Sequence, residues 1–182
     1  MAALPYGIRD IKIQRYSDDA GTILGDTIVD LPNARTLSFT EEEEYQELRG
    51  DDRVVAVHGN GPQITFSFEA GGLPLEVLPH INGGETTTSG TADTEKTTYQ
   101  KSASNQRPWF KITGRVISDS GGDVHAILHR CKLTENLEGE FTDGEFFLLS
   151  GGGVGMGLED EDDDLIYEFV HNATMTPISA TP

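Results

Sequence analysis

The chain has 182 residues, with 31 acidic and 13 basic side chains, so its formal net charge is −18. A chain of this length buries about 70% of its surface on folding, enough for one domain with its own core. The charge excludes the basic field by which proteins hold nucleic-acid phosphates, because that binding needs Lys and Arg to replace counterions.

The cysteine count and the absence of long apolar runs narrow the possible class of protein further. Cys131 is the only cysteine, which excludes an intrachain disulfide and argues against a cysteine-based zinc site. No signal-peptide pattern opens the chain, and no run approaches the ~18 apolar residues of a membrane span. We therefore expect a single domain over residues 1–182, made in a cytosol-like compartment, without membrane contact. Residues 1–6 are predicted to form a loose N-terminal arm, because Pro5 disfavours early strand pairing.

Two alternating segments open the fold. Residues 7–16 and 22–31 each read as a strand, and the polar cluster at residues 17–21 reads as a turn between them. The sequence thus predicts an early β-hairpin.

An acidic stretch at residues 34–69 is the most informative part of the chain. Alternation through Leu37 and Phe39 predicts a strand, yet Thr40 followed by glutamates also fits a helix capping box. Residues 63–69 alternate cleanly between polar side chains and Ile64, Phe66 and Phe68. We favour a long hairpin with its tip at residues 50–52, and we place a second break at residues 58–62.

The second half of the chain is predicted from similar signals. Residues 73–81 have apolar side chains at helical spacing and predict a short helix. Residues 82–107 form a long Thr/Ser-rich loop that we expect only a partner to order. Residues 109–117 and 123–133 predict a second hairpin.

The C-terminal third contains two short predicted strands, residues 145–149 and 165–170. Between them lie a glycine tract at residues 151–157, predicted to be a flexible connection, and an acidic run at residues 159–164, predicted to be a solvated loop. Residues 171–182 form a polar C-terminal tail. The fold class is mainly β: a β-sandwich or partly closed barrel with one short helix and long loops.

No catalytic, cofactor-binding or metal-binding set stands out. The glycine tract lacks the spacing of a phosphate-binding loop, and no nucleophile–base pattern is present. His125 and His129 would share one face of a strand, but no third ligand lies near, so we interpret them as surface histidines. We therefore expect a protein that is not an enzyme.

An acidic surface has a physical use in a protein that lets nucleic acid pass without holding it. Like charge repels phosphate, and no counterion release traps the strand. A solvated acidic surface is the simpler alternative.

In its order of parts, the chain resembles the major tail tube protein of long-tailed (siphovirus-type) bacteriophages. The resemblance extends from about residue 7 to residue 178. It is carried by the early hairpin, then by LPNARTLSF leading to ELRGDDRVVAV, and by QITFSFEAGG and LPLEVLPHINGG. WFKITGRV, DVHAILHRCKL and LIYEFVHNATMTPI follow in the same order.

The resemblance implies a homo-hexameric ring whose inner sheets join neighbours into a ring-shaped β-barrel. Rings would stack into a virion tail tube, assembled in the host cytoplasm, through which viral DNA passes during genome ejection without specific binding. The implied partners are the tail terminator, tape measure and distal tail proteins. The implied lumen-lining residues are Glu42, Glu44, Glu47, Asp51 and Glu69. The implied contacts between subunits or rings are Arg49, Asp52, Arg53, Lys96, Tyr99, Lys101 and Arg107.

Three other interpretations stay open. A monomeric β-sandwich module could bind carbohydrate or a surface ligand, with Trp109 or Tyr99 as a stacking platform, although Trp109 is expected in the core. A hydrolase with paired carboxylates is disfavoured, because no spacing singles out a pair. Tube-forming subunits of bacterial contractile injection machines would look similar to a phage tube protein.

Overall fold

The computed structural model describes residues 3–158 and 164–179, and these residues form mainly β structure. The strands are β1 (Pro5–Tyr16), β2 (Leu24–Asp30), β3 (Ala34–Gly50), β4 (Arg53–Gly71), β5 (Glu85–Ser89), β6 (Lys96–Gln100), β7 (Phe110–Ser118), β8 (Asp123–Leu133), β9 (Glu138–Gly139), β10 (Leu148–Gly155) and β11 (Tyr167–Asn172). One short helix, α1 (Leu78–Asn82), and one 3-10 turn (Ala92–Thr94) complete the elements in this part of the chain. The predicted mainly-β class with a short helix is confirmed.

Nine strands form one antiparallel sheet with the order β2-β1-β7-β8-β10-β4-β3, while β11 pairs with β8 and β9 pairs with β10. Strands β2 and β3 lie at opposite ends of this order, yet only residues 31–33 connect them. Because four residue steps span at most ~15 Å, the sheet must curl to bring its two ends together. Across the curl, the ring of Phe66 on β4 packs edge-on against Phe110 on β7 at 5.9 Å. The described strands do not close into a barrel, and the arrangement is that of a β-sandwich.

The core lies between the folded halves of this sheet. Alternating apolar residues of the strands provide most of it, and α1 covers one end with Leu78 and Ile81. The predicted helix at residues 73–81 is shorter than expected, because residues before Leu78 form turns. The strand residues with no accessible surface include Ile11, Ile13, Ile64, Phe110, Ile112 and Leu128. No helix in residues 3–158 or 164–179 is long and apolar enough to cross a membrane.

The prediction of a flexible glycine tract at residues 151–157 is wrong. Strand β10 runs through it and pairs with β4 on one side and β8 on the other. A Cβ on Gly152 would approach the Phe66 carbonyl oxygen to 2.9 Å, and one on Gly153 would approach the Leu133 Cα to the same distance. Glycine is therefore the residue that lets the two neighbouring strands come this close.

Other boundaries also differ from the predictions. Pro5 and Tyr6 are not part of an arm, because they pair with Ser118 and Ile117 at the start of β1. The loop predicted at residues 82–107 contains the β5–β6 hairpin, in which facing threonines such as Thr88 and Thr97 stabilise the pairing. β10 begins at Leu148, so the strand predicted at residues 145–149 is displaced. The acidic run at residues 159–164 lies outside the described residues except for Asp164.

Candidate assembly surface on the β3–β4 hairpin

The distal half of the β3–β4 hairpin projects beyond the core. From the core toward the hairpin tip, Ile64 is the last buried residue of β4, and it pairs with Glu41 on β3. Beyond that pair every residue of both strands is exposed, apart from the partly buried Gly50 and Gly59. At ~3.3 Å per residue, the nine steps from Glu41 to Gly50 extend the hairpin by about 30 Å. The predicted long hairpin is confirmed.

The hairpin tip is a two-residue turn at Asp51 and Asp52, with φ angles of 50° and 60°. Positive φ at both positions is the signature of the type I′ turn, whose twist matches that of the flanking strands. The tip therefore lies within the predicted residues 50–52. The break predicted at residues 58–62 is wrong, because β4 continues through it as a bulge in which Glu44 faces both Asn60 and Gly61.

Strand alternation separates the hairpin into two faces. One face continues from the core, and we call it the core-side face; it consists of Phe39, Glu41, Glu43, Tyr45 and Glu47. The opposite polar face begins with Ser38 and Ser67, whose hydroxyls lie 2.7 Å apart. Toward the tip, the polar face carries Thr40, Glu42 and Glu44 on β3 and Thr65 and Gln63 on β4, and toward the base it carries Thr36 and Glu69.

The five predicted lumen residues do not all share a face. Glu42 and Glu44 lie on the distal part of the polar face. Glu69 lies on the same face at the base of the hairpin, opposite Thr36, and forms a 3.1 Å ion pair with Arg35. Glu47 lies on the core-side face, where its carboxylate accepts two hydrogen bonds from Arg49, and Asp51 lies in the turn. Three of the five carboxylates therefore share a face, but Glu69 is about 20 Å along the strand from Glu42.

Both edges of the distal hairpin are open. In the part of the chain that the structure describes, β3 pairs only with β4, and β4 meets β10 only from Ile64 onward. Unpaired edge groups in this position are templates for pairing with another chain. Apolar side chains are exposed on the same segment: Tyr45, Leu48, Val54, Val55 and Val57 are each more than 40% accessible. An isolated two-stranded hairpin is at best marginally stable in water, and this segment has both edges unpaired among the described residues.

An aromatic cluster, defined here as Phe39, Tyr167 and Phe169, lies where the core-side face meets β11. Its ring centroids are 5.4 to 5.9 Å apart. The Tyr167 hydroxyl donates a 2.8 Å hydrogen bond to Glu41, which raises the pKa of that tyrosine. Tyr45 donates likewise to Glu43, and its pKa is raised for the same reason. Sequence reasoning missed this cluster, because Phe39 is far from β11 along the chain.

Three of the four predicted contact residues outside the β3–β4 hairpin meet around Asn82: Tyr99, Lys101 and Arg107. Lys101 donates to the Asn82 carbonyl oxygen at 2.6 Å, and Arg107 donates to the Asn82 side-chain oxygen at 3.2 Å. The Tyr99 hydroxyl accepts from the Asn82 amide and donates to the Gly83 carbonyl oxygen at 2.6 Å. These three side chains therefore hold the β5–β6 hairpin to the end of α1.

Two further contact candidates, Lys96 and Asp52, have structural positions within their own hairpins. Lys96 begins β6, facing Ser89 across the hairpin, and Asp52 forms half of the type I′ turn. Arg53 is exposed and makes no ion pair with a described residue. Arg53 is therefore the contact candidate that keeps an exposed charge at the hairpin tip.

The two histidines predicted to be on the surface are buried instead, at 8% accessibility each. His129 pairs with Glu168 at 2.7 Å, and His125 contacts the Thr176 carbonyl oxygen at 3.0 Å. They do share a face, as predicted, but β11 and the C-terminal segment cover it. The Asp123 carboxylate accepts hydrogen bonds from the Thr176 N–H and from the Asn172 side-chain amide. Burial alone would raise the pKa of Asp123, but these hydrogen bonds and the nearby His125 hold its pKa below the usual value.

No cluster of three or more potential metal ligands occurs in residues 3–158 or 164–179.

Trp109 is partly buried, with the Arg130 guanidinium carbon 5.1 Å and the Lys132 ammonium 4.8 Å from its ring centroid. The prediction that Trp109 lies in the core is therefore only partly correct.

Comparisons with solved structures include a weak similarity. A structure described as the anti-feeding prophage (AFP) baseplate, 6-fold symmetrised, contains a chain that aligns with 94% of this chain and 98% of its own length, with a TM-score of 0.42 and 8% sequence identity. We draw no inference from a similarity at that level. No protein-family model matches the chain, and no curated protein matches it in sequence.

Proposed function

We propose that this protein is a non-enzymatic structural subunit that assembles into stacked rings around an acidic lumen, as the tail tube subunit of a bacteriophage virion. The observation that carries the proposal is the projecting β3–β4 hairpin with two open edges. The resemblance of the sequence to tail tube proteins supplies the biological setting: a hexameric ring, genome passage, and terminator, tape measure and distal tail partners.

Open edges of this kind favour a ring. When hairpins stand side by side in one orientation, the β3 edge of one copy meets the β4 edge of the next, and the two strands are antiparallel. The contact joins two different surfaces, so it repeats around an axis and closes when the rotation permits. Closure pairs every distal edge and removes the exposed backbone groups that a single copy presents.

The polar face fits the inside of such a ring. Glu42, Glu44 and Glu69 would line it together with Ser38 and Thr40, and no Lys or Arg belongs to the polar-face positions between them. A phosphate backbone passing Glu42 and Glu44 meets like charge, and the cation beside the polar face, Arg35, is held in an ion pair with Glu69. The core-side face would then point outward, toward the body of the ring.

The carbohydrate-binding alternative has no supporting observation. The ring of Trp109 is in contact with two cations of its own chain, and the hydroxyl of Tyr99 is used in the contacts around Asn82. Neither side chain offers a free stacking platform of the kind that sugar-binding sites use.

Electron microscopy of the purified protein at high concentration tests the proposal. We expect rings or hollow tubes, and we expect none from a Val55→Lys, Val57→Lys double variant, because both side chains are more than half exposed in a single copy and would be buried between hairpins. Met175→Lys is the matched control, since Met175 is 68% exposed but outside the hairpin. Monomers of the wild type at every protein and salt concentration, together with binding in a glycan screen, would favour the carbohydrate-binding module instead.

A further inference from the structure

The aromatic cluster of Phe39, Tyr167 and Phe169 brings three ring centroids within 6 Å of one another at the surface. The three centroid separations of 5.9, 5.5 and 5.4 Å form a nearly equilateral triangle, and the rings are inclined to one another by 37°, 46° and 63°. A cation held over the centre of this triangle would lie within ~6 Å of all three centroids, the range in which ring quadrupoles attract it.

The surroundings of the cluster are negative. Glu41 lies against the Tyr167 hydroxyl at 2.8 Å, and Glu43 follows two residues along the same face of β3. A carboxylate beside aromatic rings attracts a cation directly and offers it a hydrogen-bond acceptor. An uncharged apolar ligand would gain nothing from these two glutamates.

Two rings of the cluster are also exposed. Phe39 is 37% accessible and Phe169 is 55% accessible. All 13 Lys and Arg residues lie within residues 3–158 and 164–179, and the cation–ring contacts found there are the two on Trp109. A cation at this cluster must therefore come from another molecule.

We propose that Phe39, Tyr167 and Phe169, with Glu41, form a cage for a guanidinium or ammonium side chain of a second copy of this chain. The choice of a second copy rests on the proposed function, because ring or tube assembly would bring neighbouring copies to the base of the hairpin. Charge complementarity favours it as well: the cage is acidic, and Arg53 is an exposed cation with no ion pair among residues 3–158 and 164–179.

The cage can be tested without assembly, by NMR titration of the monomeric chain with N-acetyl-arginine amide. We expect the aromatic resonances of the cluster to shift, and we expect no comparable shift with N-acetyl-citrulline amide, which has the same shape without the charge. Phe169→Leu keeps apolar volume but removes one ring face, and should weaken binding of the arginine amide about 2- to 10-fold. Phe146→Leu is the control, since Phe146 is 95% exposed and outside the cluster. Equal shifts with both amides would overturn the cage.

A second measurement assigns the cation to a second copy. Phe169→Leu should reduce ring or tube formation in electron micrographs, while Phe146→Leu should not. Rings that form equally well in wild type and Phe169→Leu would overturn the second-copy assignment and leave the proposed function intact. A wild-type chain that responds to the arginine amide but never self-associates would instead overturn the proposed function and, with it, the second-copy occupant.

Discussion

Replacing Gly153 with alanine tests whether the glycine tract is a packed central strand. A Cβ at this position would lie 2.9 Å from the Leu133 Cα and closer still to the Lys132 carbonyl oxygen. Ordinary carbon–oxygen contacts between strands are about 3.3–3.6 Å, so β8 or β10 would have to move. β8 cannot move freely, because it pairs with β7 and β11 as well as β10.

The expected cost follows from these contacts. Overpacking in a closely packed interior costs about 1–3 kcal/mol, and the loss of backbone freedom in the unfolded chain returns about 0.4–1 kcal/mol. We therefore expect Gly153→Ala to lower the free energy of unfolding by about 1–2 kcal/mol. Gly71→Ala is the matched control: its Cβ would meet Asn33 at an ordinary 3.4 Å, so this variant should be unchanged or slightly stabilised.

Urea denaturation measures both variants, with the single tryptophan, Trp109, as the fluorescent probe. A flexible linker would gain stability from alanine in either place, because only the unfolded-chain term would act. A Gly153→Ala protein as stable as Gly71→Ala would therefore refute the close approach of β8 and β10.

Three further changes probe the turn, the tail and the polar face. Asp52→Gly removes the cost of a non-glycine residue at positive φ, so hydrogen exchange of the hairpin amides should slow by about tenfold, equivalent to about 1.4 kcal/mol. The pKa of Asp123 is lowered in the folded chain. The contribution of Asp123 to stability is therefore present above the ordinary pKa of 3.8 and is lost as the pH falls through the folded pKa. Asp123→Asn should abolish this pH dependence and the protection of the Thr176 amide from hydrogen exchange. Glu42→Lys with Glu44→Lys should still form rings but retain double-stranded DNA in co-sedimentation at low salt and slow genome release, and failure to retain DNA would count against their place in the lumen.

The hairpin was predictable because its signals are local. Alternation through Ile64, Phe66 and Phe68 reports one buried face, and the polar residues at the tip mark a turn. The end of the projection was not predictable, because Val54, Val55 and Val57 beyond Ile64 would suit a covered strand equally well, although they are exposed. Whether a strand face is covered depends on the rest of the fold.

The errors share one physical origin. A run of glycines reads as flexible when its neighbours are unknown, and only the pairing of β10 with β4 and β8 explains why those positions have no side chain. His125 and His129 read as surface residues because the segments that cover them, β11 and the tail, lie some 40 to 50 residues away. The aromatic cluster joins Phe39 to a strand about 130 residues later. Contacts of this range have no periodic signal in a single sequence.

The hairpin and the charge of the chain act in opposite directions on assembly. Joining copies through the β3 and β4 edges places carboxylates of neighbouring polar faces beside one another, and residues two apart on a strand are only ~7 Å from each other, less than the ~10 Å screening length at 0.1 M salt. Repulsion at that range is about 1 kcal/mol or less per pair in water. Full burial of a fully exposed valine contributes about 1.5–3 kcal/mol, so Val54, Val55 and Val57, which are 44–59% exposed in a single copy, would each contribute about half of that in a ring. Apolar burial and edge pairing therefore outweigh the repulsion, so a polar face crowded with carboxylates is compatible with a stable ring.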